Sequence, residues 1–191
     1  MRGIIPFVFL ICIACGGQQR QRVITYYNID SLVSSQQDLL VARQPLLNKK
    51  AYIDSDSSIT DFKPGREQWA NELDIFKKID INSPKLVGLY TTSTADDTHS
   101  NLKVRTLTTN DEDAEVKYLK LYYLDRLEKL KKIEALYIER NPIYASSREV
   151  TMVFDDFEGQ GILKRYQVRG MQKTVLQDTV RFEISGQLNF H

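Results

Sequence analysis

The hydrophobic period of this chain changes partway along, and that change confines it to one fold class. The final stretch VRFEISGQLNF alternates. Val180, Phe182, Ile184, Leu188 and Phe190 fall on one side, with Gly186 among them, and Arg181, Glu183, Ser185, Gln187 and Asn189 fall on the other. A period of two marks a half-buried antiparallel strand, because successive strand side chains point to opposite faces. EVTMVF places Val150, Met152 and Phe154 together, and RYQVR sets Tyr166 and Val168 against Arg165, Gln167 and Arg169. KLVGLYTTST and NLKVRTLTT are two further strands parted by the turn-like ADDTHS, and Gly159 and Gly161 in EGQGIL suit a hairpin turn.

Before Lys85 the period is nearer 3.6. A first helix starts at Asn28 or Asp30, both good N-caps, repeats Leu32 and Val33 as Leu39 and Leu40, and stops at Pro45. A second, REQWANELDIFKKI, carries Trp69, Leu73 and Phe76 on one face, and Pro84 closes that region. Between the helices, LLNKKAYID reads as a short, loosely alternating strand and DSDSSITDFKPG as a turn-rich connection. The expected fold is α+β: two N-terminal helices packed on a curved antiparallel sheet of about 6–8 strands, a meander or half-barrel. The body is one domain over 26–191, a helical front over 26–84 and a sheet over 85–191.

One stretch fits neither period. Leu121, Leu124, Leu127, Leu130, Ile133 and Leu136 recur every three residues. On a helix that stripe slips by about 60° at each step and winds around the cylinder, yet Leu, Glu and Lys are strong helix formers. Two strands with a turn near Asp125-Arg126 are one reading, and a helix over 124–139 is the other.

The leader is separate from the fold. Arg2 is the only charge ahead of an apolar run from Ile4 to Ala14. The run is too short to span a bilayer, which takes about 20 residues, but it has the proportions of a secretory signal. Its end, Cys12-Ile13-Ala14-Cys15-Gly16-Gly17, resembles a bacterial lipoprotein signal, with Cys12 standing where leucine is usual. The resemblance implies that residues 1–14 are removed and that Cys15 is the lipid anchor. One buried acyl chain holds a protein only reversibly, at about 0.8 kcal/mol per CH₂; the several chains such lipoproteins carry hold it durably. Residues 15–25 follow as a flexible tether. Without Arg2 the chain has 25 basic and 25 acidic side chains, a net charge of zero, which argues against a nucleic-acid partner. Cys12 and Cys15 are the only cysteines, so the domain is expected to stand on its core without a disulfide, and the length suffices for one core.

The order of features resembles a set of uncharacterised lipoproteins from Bacteroidota. The residues that carry the likeness are YYNIDSLV at the first helix; Trp69, Glu72, Leu73, Phe76, Asp80-Ile81-Asn82 and Pro84; Leu136-Tyr137 leading to Tyr144-Ala145-Ser146-Ser147-Arg148-Glu149-Val150-Thr151; and EISGQL in the last strand. The likeness implies a shared compartment and fold, a hairpin in the ambiguous stretch, and no assigned chemistry. Gly16 after Cys15, and the lack of an acidic run behind it, imply the outer membrane and its periplasmic side.

Chemistry-bearing patterns are sparse. The two histidines are His99, in the polar turn beside Asp96 and Asp97, and the terminal His191. No serine sits in a Gly-x-Ser-x-Gly elbow, and two distant histidines cannot supply a zinc site. Asp54, Asp56, Ser58 and Thr60 alternate as calcium ligands do, but without the glycine and glutamate of that loop, and Asp155–Gly159 is a second acidic turn. Both are read as solvated loops. The expectation is no metal, no cofactor beyond the acyl chains on Cys15, and no catalysis. Tyrosines recur through the strands; most suit packing of a half-buried sheet, and Tyr90, Tyr118, Tyr122 and Tyr166 are the candidates to line a groove. The expected function is that of a membrane-anchored, monomeric envelope lipoprotein acting as a binding or structural module for an envelope protein or an apolar ligand. Alternatives are a lipid or apolar-ligand carrier with a cavity in the sheet and, behind it, a carboxylate-based envelope hydrolase.

Overall fold

The computed structural model describes residues 24–176 and 178–190. Two helices, α1 (Ile29–Arg43) and α2 (Arg66–Lys77), accompany nine strands. These are β1 (Leu46–Ile53), β2 (Asp56–Phe62), β3 (Thr91–Asp96), β4 (Lys103–Thr108), β5 (Val116–Tyr123), β6 (Leu130–Asn141), β7 (Tyr144–Phe157), β8 (Gln160–Thr174) and β9 (Val180–Asn189). All pair antiparallel in one open sheet, in the order β2-β1-β9-β8-β7-β6-β5-β4-β3. The fold is α+β. Strands β3 to β9 form an unbroken meander, and the early hairpin β1–β2 returns to lie beside the last strand.

The count of nine lies slightly above the expected 6–8; β1 was expected as a short strand and β2 was not, and both join the sheet from the front, so it does not begin at residue 85. The stretch expected to be a turn-rich connection is β2. Its side chains are exposed on both faces except for Phe62, so it has no apolar alternation to read. As an edge strand it is held by backbone pairing to β1, from Leu47↔Phe62 to Ile53↔Asp56. The strand expected across Lys85–Thr94 begins only at Thr91, after a short 3₁₀ turn at Pro84–Leu86 and a left-handed Gly88.

The hairpin reading of the leucine-rich stretch is correct, and the helix over 124–139 is absent. β5 and β6 pair from Val116↔Tyr137 to Tyr123↔Leu130. Between them lies a turn with Asp125 at positive φ and a 3₁₀ turn at Leu127–Lys129. The period of three arises because a turn of odd geometry interrupts two stretches of period two. Leu121 and Ile133 share one face as register partners, whereas Leu136 lies on the other, opposite Tyr118.

Register divides the sheet into two chemistries. Leu121, Ile133, Met152, Tyr166, Gly186 and Lys49 follow one another across six strands, with Leu119, Ala135, Val150, Val168, Ile184 and Ala51 in the next row on that face. The intervening row on the other face is Lys120, Glu134, Thr151, Gln167, Ser185 and Lys50. The apolar rows join one buried cluster with Ile29, Val33 and Leu40 of α1 and Trp69, Leu73 and Phe76 of α2. Each such side chain, once buried, contributes about 1.5–3 kcal/mol.

Helix α1 begins where Asn28 Oδ1 accepts the Ser31 amide at 2.9 Å and ends at Gln44, left-handed, before Pro45. Its buried stripe is Ile29, Val33, Gln36 and Leu40. Gln36 is 2 % exposed; its Nε2 donates to the Gly161 carbonyl at 2.9 Å and its Oε1 accepts the Leu163 amide at 2.7 Å. β9 pairs with β8 only from Arg165 onward, and the glutamine serves the backbone of β8 before that point. The turn between β7 and β8 places Glu158 and Gly159 both at positive φ, the geometry of a two-residue hairpin. Among the described residues no helix is long and apolar enough to cross a membrane.

Candidate ligand groove

Helix α2 lies over the sheet where β8, β9 and β1 adjoin. The amide of its N-cap, Gly65, donates to Gln68 Oε1 at 2.8 Å, and Trp69, Leu73 and Phe76 turn inward. Phe76 meets the Tyr166 ring edge to face, centroids 5.5 Å apart. One step round the helix, Glu72 reaches the same place. Its carboxylate accepts the Tyr166 hydroxyl with one oxygen and Lys49 Nζ, at 2.7 Å, with the other. Glu72 is 12 % exposed and Lys49 30 %. Burial, followed by the Glu72 charge and the hydrogen bond to it, pushes the Tyr166 hydroxyl far above its ordinary pKa, so it remains a donor at any physiological pH.

Beside this polar knot the sheet leaves a groove of about 450 Å³. Ile75, Val168, Val180, Phe182 and Ile184 are among its walls, and Lys49, Glu72 and Arg148 are its charged lining residues. The size falls in the range of small-ligand sites, about 300–1,000 Å³, and the chemistry matches the usual pattern of apolar walls with a few polar groups. Arg148, on β7, is half-buried. Its Nη2 donates to the Tyr144 hydroxyl at 2.9 Å, and its guanidinium lies 5.9 Å from the Tyr137 ring centroid.

The four tyrosines expected to line a groove do not come together. Tyr166 alone lines this one. Tyr90 lies before β3, donates to the Val116 carbonyl at 2.7 Å and packs edge to face on Tyr26. Burial, with Tyr26 and the Asp111 and Glu115 charges adding, pushes its pKa up to about 12. Tyr118 and Tyr122 are on the opposite face of the sheet. The Tyr122 hydroxyl donates to Glu134 at 2.6 Å under the Lys132 ammonium, which is 3.8 Å from the ring centroid. Burial alone would raise the Glu134 carboxyl, but the Tyr122 bond and Lys132 outweigh it and hold it below the ordinary value. Cys15, the signal over 1–14, nearly all of the tether and His191 lie outside the described residues.

Lys49, Glu72 and Arg148 were not singled out from the sequence as site residues. The signal present was the same for two of them: Lys49 and Arg148 are charged residues on the apolar face of a strand, in step with Leu47 and with Val150 and Met152. Phe182 and Ile184 were legible as the apolar face of the last strand, but not as a wall. Glu72 is the only carboxylate in the groove lining, whereas glycoside hydrolysis uses two. Among the described residues no group of three or more His, Cys, Asp or Glu could hold a metal ion. The acidic stretches have local roles: Asp54 Oδ1 accepts the Arg181 amide at 2.9 Å, and Asp156 Oδ1 accepts the Gly159 amide at 2.9 Å. No family model matches the chain, and no curated protein matches it significantly.

Proposed function

We propose that this chain is an envelope lipoprotein whose folded part binds an apolar ligand, with α2 as the roof and strands β8, β9 and β1 as the floor of the binding groove. The observation that carries this reading is the groove itself. It is apolar on its walls, and the Lys49–Glu72–Tyr166 cluster that joins its roof to its floor is internally satisfied. Such a cluster contributes shape without demanding a polar partner. The lipid on Cys15 would hold the monomer to the outer membrane on its periplasmic side, where apolar molecules are at hand. Binding in place of catalysis accords with a groove whose one carboxylate is already engaged by two donors. Under this reading the sheet curves beneath the helices as a half-barrel.

The test is co-purification. The full chain, drawn from its own envelope, is extracted with organic solvent and the extract analysed by mass spectrometry beside that of Ile184→Trp, which fills the groove. Wild type is expected to yield a bound apolar species that the variant lacks. Equal extracts from the two would overturn the reading.

A further inference from the structure

We infer that the ligand is an amphiphile with a single acidic head, a long-chain carboxylate, and that Arg148 receives the head. This inference rests on the apolar groove proposed above.

The argument begins with charge. Lys49, Glu72 and Arg148 are the charged residues in the lining. Lys49 and Glu72 neutralise each other at 2.7 Å, which leaves a net charge of one positive unit, on Arg148. Several cations lack a carboxylate partner among the described residues, and Arg148 is the one of them in the groove lining. No ion pair joins Arg148 to a carboxylate among the described residues. A guanidinium has five N–H donors, and the one hydrogen bond Arg148 donates goes to a neutral hydroxyl. A half-buried cation beside apolar walls is costly to leave uncompensated, and a planar carboxylate fits its fork with two parallel hydrogen bonds.

Position adds a second argument. Gly170, on β8, is the register partner of both Arg148 on β7 and Phe182 on β9. A Cβ on Gly170 would run into the Ser147 carbonyl, so that place is kept without a side chain, and the guanidinium is not walled off from the Phe182 side of the groove. Nearby, Ser146 is the register partner of the groove-lining Gln172, and its buried hydroxyl makes no hydrogen bond to any described residue. The Arg148 side of the groove therefore has spare donors, and the apolar Val168 and Ile184 lie in the register row between it and the self-satisfied Lys49–Glu72–Tyr166 cluster. By contrast, a larger depression of about 560 Å³ along α1 has Asp38 and Glu128 as its charged lining and no cation among its lining residues to receive an anion.

The experiment is photo-crosslinking with the full chain in its own membranes. One probe is a diazirine-bearing hexadecanoate, and the other is the uncharged alcohol of the same chain. Crosslinked peptides are identified by mass spectrometry. In wild type, the acid is expected to label peptides containing Ile75, Val180 or Phe182 about tenfold more than the alcohol, the scale of one charge-assisted contact. Arg148→Gln is expected to abolish that preference, with acid and alcohol labelling equal, and Arg148→Lys to keep part of it. Equal labelling by both probes in wild type, or a preference that survives in Arg148→Gln, overturns the assignment of the head and leaves the groove standing. Should neither probe label the groove, the binding reading itself is overturned, and this inference with it. Ile184→Trp is the control for folding and site: it should lose both labels while retaining its cooperative melt.

Discussion

A Cβ built on Gly186 would collide with the ring of Tyr166, its register partner on the neighbouring strand. The ring lies flat over the β9 backbone, and that placement lets its hydroxyl reach Glu72 on α2. Gly186→Ala must displace a ring that is 3 % exposed. The expected cost is about 1–3 kcal/mol, typical of overpacking, read by urea denaturation. In a Tyr166→Leu background the same substitution should cost clearly less, since the two sites are in contact.

Glu72 holds α2 to two strands at once, so its two donors can be removed separately. Tyr166→Phe deletes one hydrogen bond to a charged acceptor and should lower stability by about 1.5 kcal/mol. Lys49→Met removes the compensating charge from a mostly buried carboxylate. Discounted for the partial exposure of the lysine, that loss is about 2–3 kcal/mol. Chemical denaturation of the two variants under one buffer provides the comparison, and a smaller loss for Lys49→Met than for Tyr166→Phe would contradict the geometry.

Gln36 fastens α1 to the early part of β8 by satisfying two backbone groups at once. Gln36→Leu keeps the volume and leaves both groups without their partner, at a cost of about 2–3 kcal/mol. Amide exchange at Leu163 should accelerate more in this variant than exchange in the middle of β7.

Alkaline pH should unfold the domain through its tyrosines. The Tyr90 and Tyr137 pKa values are each pushed up to about 12 from an ordinary 10.0, burial being the main cause, and those of Tyr27, Tyr118, Tyr122 and Tyr166 are also raised. A group whose folded pKa is raised contributes in full below its unfolded value. Through these residues stability should therefore not vary with pH below about pH 10 and should fall as pH climbs from about 10 toward 12, where unfolded chains lose protons that folded ones retain. Urea midpoints at pH 8, 10 and 11.5 provide the measurement, with tyrosinate absorbance as the check on ionisation.

Cys15→Ser should leave an unacylated, uncleaved precursor. Recovery of a processed, membrane-held product from that variant, by intact-mass analysis, would remove the anchor from the account.

The meander was legible because its strands are half-buried. Val180, Phe182 and Ile184 against Arg181 and Glu183 carry the pattern openly. Trp69, Leu73 and Phe76 did the same for α2. For α1 the expected repeat is buried in one half, Val33 with Leu40, and only partly buried in the other, Leu32 with Leu39, because the buried stripe runs on through Gln36, which hydropathy treats as solvent-facing. β2 escaped notice for a different reason: an edge strand exposed on both faces is held by backbone bonds, and Asp56-Ser57-Ser58 has the composition of a loop. The groove was illegible because it depends on which strands adjoin. Lys49, Glu72 and Arg148 are distant in sequence, and only the return of β1 to the side of β9 sets them around one space.

That return also governs when the molecule can be complete. β1 finds its partner in the last strand of the described residues, from Leu46↔Asn189 to Ile53↔Phe182, and such distant pairings form late and slowly. A nascent chain emerging N-terminus first has its opening hairpin ready long before anything exists for it to join. A chain that stopped between β8 and β9 would strand that hairpin and leave β8 with a raw margin open to other polypeptides.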